Sequence, residues 1–255
     1  MTENAKEYLA KIQPGAQPPL GLTDPEFVDR FASFAFDEVI HMPLVEGQEP
    51  IDDRTRFMAI LATLLGCQGL DEFKIMLPTA LNVGVSPAEA KEIIYQAVDY
   101  LGIGRVMPFL TAANEVYKHR GIALPLEPAA TTTMEDRLEK GNAAQIEIFG
   151  EGIRASWTKG PEERRPINKW LADNCFGDYY TRKGLTLKER EMVTFCYLAA
   201  QGGCEPQLIA HAKGNMNMGN DRLFLYQIVC QCLPYIGYPR SLNALTCIDK
   251  AAENA

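Results

Sequence analysis

Apolar residues recur three and four apart along most of this chain, which is the period of a helix with one buried face. Phe27, Phe31, Phe34 and Ala35 open the first such stretch, and Pro43 with Gly47 breaks it. Phe57, Ile60, Leu61, Leu64 and Leu65 form a second stripe, and Phe73, Met76, Leu77, Ala80 and Leu81 form a third that stops at Asn82-Val83-Gly84. Ser86-Pro87-Ala88-Glu89 reads as a capping box with proline at the first helical position, and it introduces a stripe of Ala90, Ile93, Ile94, Ala97, Val98 and Leu101. Gly102 and Gly104 end that helix, and another is expected over 105–119. No stretch of this half alternates as a strand would. Residues 1–24 have scattered glycine and proline with little periodicity and read as an arm with mobile ends. Two prolines and three threonines without periodicity make 123–134 a linker. Beyond it the pattern predicts helices over 137–153, 167–180, 188–201, 205–216, 221–233 and 240–252.

The two halves repeat. Asn82, Gly84, Ile93, Gln96, Tyr100, Gly102 and Arg105 recur 135 positions later as Asn217, Gly219, Ile228, Gln231, Tyr235, Gly237 and Arg240, without a gap. The reading is therefore an all-α protein, a tandem duplication with a first repeat over 1–122 and a second over 135–255. The copies are expected to pack as a pseudo-dimer, and their apolar stripes favour further self-association into a homo-oligomer.

Composition narrows the partners. With 255 residues and 47% hydrophobic content the chain can bury a substantial core, and a net charge of -8 argues against nucleic acid or an anionic membrane as partner. The opening residues lack the plan of a secretory signal and the longest apolar run, 57–67, is too short for a bilayer, so a cytoplasmic protein is expected. Seven cysteines with no C-x-x-C pair read as reduced thiols, and Cys230 and Cys232 point to nearly opposite sides of a helix.

Candidate chemistry lies where the copies differ. The offset of 135 sets Gly69 against Cys204, Met76 against His211 and Ala80 against Asn215. The second copy thus keeps polar groups where the first is apolar, although an inward imidazole or amide costs about 1 to 3 kcal/mol if unsatisfied. Glu191, on the preceding helix, falls within about one turn of the height of His211 if the two helices are antiparallel. Cys204 would sit at a helix N-terminus, where aligned N–H groups favour a thiolate. Each residue alone also fits a bland reading: a core histidine bonded to a carbonyl, a small buried thiol, a solvated glutamate. Their combination in one copy is what points to a site.

At these residues the sequence resembles the carboxymuconolactone decarboxylase family, which also includes small helical alkylhydroperoxidases. The second copy carries Arg137-Leu138-Glu139-Lys140-Gly141, Ile148-Phe149-Gly150, the run from Phe176 to Leu185, Arg190-Glu191, His211 and Gly237-Tyr238-Pro239; the first carries Asp53-Arg54-Thr55-Arg56, Ala80 to Val85 and Ala112-Ala113-Asn114. The resemblance implies decarboxylation of a lactone or related small carboxylic acid without metal or cofactor. Loss of carbon dioxide leaves a dienolate that must be protonated. In that scheme His211 is the proton donor, Glu191 its partner, and Arg182, with Arg54 or Arg56 from the first copy, the clamp on substrate carboxylates. Asn215 adds a polar group on the same face as His211. The peroxidase branch uses a glutamate, a C-x-x-C pair and a histidine. Glu191, Cys204 and His211 match three of those positions and Gln207 replaces the second cysteine, leaving Cys196 or an external thiol to resolve Cys204. A scaffold of the same fold without chemistry is the third reading. The family likeness also implies a ring, a trimer of pseudo-dimers.

Overall fold

Thr2 accepts a hydrogen bond from the amide of Ala5 and starts helix α1 (Glu3–Ile12) in the stretch that reads as an arm. Ala5 and Ile12 are fully buried, Leu9 packs against the core, and the side chain of Asn82 donates to the carbonyl of Ile12 at 2.8 Å. Three apolar residues over two turns are too short a stripe to stand out beside the glycines and prolines that follow, which is why the helix escapes a periodicity reading. The computed structural model describes residues 1–253, and among these there are helices and no strand.

After α1 come α2 (Pro25–Ser33), continued by a π-helical stretch (Phe34–Glu38), then α3 (Asp53–Gly66), α4 (Leu70–Asn82), α5 (Pro87–Leu101) and α6 (Ile103–His119). The capping box at Ser86 forms as expected, with Glu89 accepting from the Ser86 amide at 2.7 Å. No helix forms between α6 and α7 (Arg137–Phe149). Helix α8 (Arg165–Trp170) runs into a second π-helical stretch (Leu171–Tyr180), and α9 (Leu187–Gln201), α10 (Glu205–Asn217) and α11 (Arg222–Glu253) complete the chain. Helix α11 is broken at Gly237, whose φ of 74° matches the 79° of Gly102 between α5 and α6.

Equivalent contacts in the two halves repeat the duplication residue by residue. Asn82 to Ile12 is repeated by Asn217 to Ile148, both at 2.8 Å, so α1 corresponds to α7. Arg190 to Gln96, at 2.8 Å, is repeated by Arg56 to Gln231 at 3.0 Å. Helices α3 and α9 therefore correspond at an offset of 134, one less than the 135 that relates α4 to α10 and Gly102 to Gly237, as their caps Asp52 and Thr186 also show. The counterpart of Glu191 is Phe57.

Helices α3 and α9 cross at the centre of one core shared by both copies. A methyl group on Gly66 would lie 2.6 Å from the Ala200 side chain and 2.7 Å from the Tyr197 carbonyl, so the close crossing requires glycine. Charged side chains fasten the copies around it. Arg54 reaches both capping-box acids, Glu89 of α5 and Glu189 of α9. Glu92 of α5 lies between Arg182, at 2.9 Å, and the fully buried Arg190, at 3.1 Å. Arg190→Met removes a buried partner from Glu92 and Gln96 and is expected to cost about 3 kcal/mol. Urea midpoints check this, with Arg154→Met, on the exposed Arg154–Glu151 pair, leaving the midpoint unchanged.

Candidate active site

The capping box of Thr186 and Glu189 fixes the start of α9 and turns Glu191, in its second turn, toward α10. Pro206 occupies the first turn of α10 and places His211 midway along it. The two side chains meet: His211 Nδ1 lies 2.9 Å from Glu191 Oε2. Glu191 is fully buried, and its Oε1 accepts a hydrogen bond from the Tyr180 hydroxyl at 3.0 Å.

The Tyr180 hydroxyl has one proton, so having given it to Glu191 it must accept from its other two neighbours. These are the Thr194 and Tyr100 hydroxyls, both at 2.7 Å. Thr194 in turn accepts from the Gln96 amide at 2.8 Å, and the Gln96 carbonyl oxygen accepts from Arg190. Donation therefore runs one way, from Arg190 through Gln96, Thr194 and Tyr180 to Glu191. With the carboxylate as terminal acceptor, the imidazole proton belongs on Nδ1 and Nε2 is left for other work. Nε2 makes no hydrogen bond to any described residue. His211 is itself 8% exposed, and Gln207, one turn back on the same face, is exposed.

Packing fixes the ring. Tyr100 meets it edge-on at 5.5 Å and Phe149 at 5.4 Å between centroids. Asn215 donates to the carbonyls of Glu191 and His211, both at 2.8 Å, and so ties α9 to α10 beneath the dyad. Gly214 is there for room: a methyl group on it would lie 2.5 Å from Glu191 Oε2 and 3.1 Å from the Phe149 ring. In the first copy this position is Thr79, whose hydroxyl accepts from Gln13.

Of the expected site residues, the structure brings together Glu191, His211 and Asn215, the last occupied by backbone carbonyls. Cys204 caps α10 two turns before His211, on the order of 10 Å away. Its thiol donates to the Leu198 carbonyl at 3.4 Å, and burial pushes its pKa up, aided by the Glu205 charge and only partly opposed by Gln201. The helix N-terminus does not outweigh those effects. Cys196 is fully buried with its Sγ 3.9 Å from that of Cys232, and all seven cysteines are free thiols. The arginines read as a clamp are engaged by the protein itself. Arg54 is held by Glu89 and Glu189, Arg56 by Asp53, Tyr8 and Gln231, and Arg182 by Glu92 with its guanidinium 5.2 Å over the Tyr95 ring.

Tyr180, Tyr100, Thr194, Gln96 and Gly214 are the site residues that periodicity misses. Tyr100 and Gln96 carried a signal, since both recur in the repeat, but recurrence marks fold as readily as site. Among the described residues no group of three His, Cys, Asp or Glu side chains is placed to hold a metal ion, and no helix is long and apolar enough to cross a membrane.

The fold and the dyad define a helical tandem-repeat protein with a buried Glu–His pair in its second copy. The model of the carboxymuconolactone decarboxylase family matches residues 25–115 and 166–250, more than half of the chain, and the chain belongs to that family. It is similar to a 4-carboxymuconolactone decarboxylase of Acinetobacter baylyi, with 26% identity over 112 residues, or 44% of this chain and 83% of that protein.

One further acid borders the network. Asp99 has its Oδ2 buried without a hydrogen-bond partner, and burial, with the nearby Asp178 charge adding and Cys175 opposing, pushes its carboxyl up to about 7. An unfolded Asp titrates near 4, so between about pH 4 and pH 7 the folded chain holds the extra proton and stability falls as pH rises. Asp99→Asn should remove that loss, so urea midpoints at pH 5 and pH 8 should differ less in the variant than in the wild type.

Proposed function

We propose that the chain is a cofactor-independent decarboxylase acting on a lactone or related small carboxylic acid, with His211 as the proton donor. The supporting observation is the Glu191–His211 pair, which leaves Nε2 unpaired at one end of a buried polar chain, with His211 8% exposed. In the reaction the bond from carbon to the carboxylate breaks, its electron pair passes into the conjugated carbonyl, and carbon dioxide leaves. His211 Nε2 then delivers a proton to carbon and recovers one from water. Glu191 stabilises the imidazolium that precedes transfer, and Tyr180 limits the rotation of Glu191. Tyr100 makes this a site of both copies. The thiol-peroxidase reading has less support, because Cys204 stands apart from the dyad with a raised thiol pKa and Gln207 in place of a second cysteine.

Release of carbon dioxide from 4-carboxymuconolactone and related lactone acids tests the assignment. His211→Ala and Glu191→Gln should each lower kcat by about 10² to 10⁴ with the fold retained, while Cys204→Ser should keep wild-type turnover. Equal turnover in wild type and His211→Ala contradicts the assigned role. Peroxide consumption lost in Cys204→Ser would instead favour the peroxidase.

We also propose that the chain assembles with copies of itself. Ile103 and Met107 of α6 are 50% and 53% exposed, and their counterparts Tyr238 and Leu242 are 63% and 60% exposed, so two equivalent apolar faces stand open. Light scattering should give a multiple of 28.3 kDa, reduced by Tyr238→Lys with Leu242→Lys. A wild-type monomer at micromolar concentration contradicts it.

A further inference from the structure

In the first copy the place of the dyad is filled by apolar side chains, and a cavity lies beside it. Met76 stands where His211 does, Phe57 where Glu191 does, and Tyr235 where Tyr100 does. The Tyr235 hydroxyl lies 4.0 Å from Met76 Sδ. Against this wall α1, α2 and α4 enclose about 640 Å³, with Phe31, Phe36, Leu64, Ile75, Met76 and Tyr235 on the lining. That volume is in the range that holds a small organic molecule.

Its polar groups are few and almost all are occupied. Lys6 pairs with Glu3 at 2.6 Å, and the Gln13 amide donates to Thr79 at 2.7 Å. Glu72 is the exception. Its carboxylate makes no ion pair or hydrogen bond to any described residue, it is half-buried, and its charge reaches the Tyr235 hydroxyl. Burial pushes its pKa up, as expected of a carboxylate short of partners. The Tyr235 ring, met edge-on by Phe31 at 6.3 Å, adds an aromatic face beside it.

These features select among occupants. An anionic ligand is repelled by Glu72, and a neutral apolar one covers the carboxylate without supplying a partner. An ammonium group supplies the partner and is also attracted by the aromatic face, while an alkyl or aryl body fills the apolar remainder. We propose that the first copy binds a hydrophobic amine in this cavity, its ammonium group on Glu72 and its apolar body along α1, α2 and α4. The duplication has then produced two different sites, one for chemistry and one for binding.

Calorimetric titration of the full chain with decylamine, decanol and decanoate tests this, in wild type, Glu72→Gln and Ile75→Trp, each first shown to be folded by circular dichroism. Decylamine should bind wild type one to one and about tenfold more tightly than decanol, with decanoate weakest. Glu72→Gln should erase the preference for amine over alcohol while keeping decanol binding, and Ile75→Trp, which narrows the cavity, should weaken both. The proposal is overturned by absence of saturable decylamine binding, by a preference for decanol or decanoate in wild type, or by an amine preference that survives Glu72→Gln.

Discussion

The hydrogen bond between Glu191 and His211 is the contact on which the second copy is organised. A fully buried carboxylate is costly unless its oxygens are satisfied, and here each has a donor: the imidazole on one side and the Tyr180 hydroxyl on the other. Satisfying Tyr180 requires Thr194 and Tyr100, satisfying Thr194 requires Gln96, and Gln96 is fixed by Arg190. The chain begins at the ion pairs that hold the copies together, so the geometry of the dyad and the packing of the pseudo-dimer are one constraint. Gly214 is a local concession to it in side-chain volume, and Tyr180 reaches Glu191 from the end of a π-helical stretch.

The first copy shows what the same scaffold does without that constraint. Arg56 still bonds Gln231, and Tyr235 still stands over the central wall, because these contacts hold the repeats together. With Phe57, Met76 and Ala80 in place of Glu191, His211 and Asn215, no buried carboxylate–imidazole pair has to be satisfied there, and the wall faces a largely apolar cavity bordered by Glu72. Duplication allowed one copy to keep polar groups that are demanding to bury while the other contributes Gln96 and Tyr100 to their support.

The sequence made the helices legible where stripes were long, as in α3, α4 and α5, and the repeat legible where glycine, asparagine and tyrosine recur in register. It hid α1, whose stripe is short, and it hid the one-residue change of offset, because the turn before Cys204 absorbs it. The meeting of Glu191 with His211 followed from helix heights. The roles of Cys204 and the arginines did not, since charge and thiol chemistry depend on what stands opposite a side chain. Glu89, Glu92 and Glu189 engage Arg54 and Arg182, and burial with Glu205 raises the Cys204 thiol. Tyr180 and Thr194 have no period of their own to betray them.

The direction of donation into Glu191 sets the tautomer of His211. Long-range nitrogen–proton NMR spectra resolve the two ring nitrogens of each of the three histidines, and His211→Ala assigns the signals. In its neutral form His211 should carry the proton on Nδ1 and leave Nε2 unprotonated. A neutral ring with its proton on Nε2, or one averaging freely between the two forms, would contradict the account.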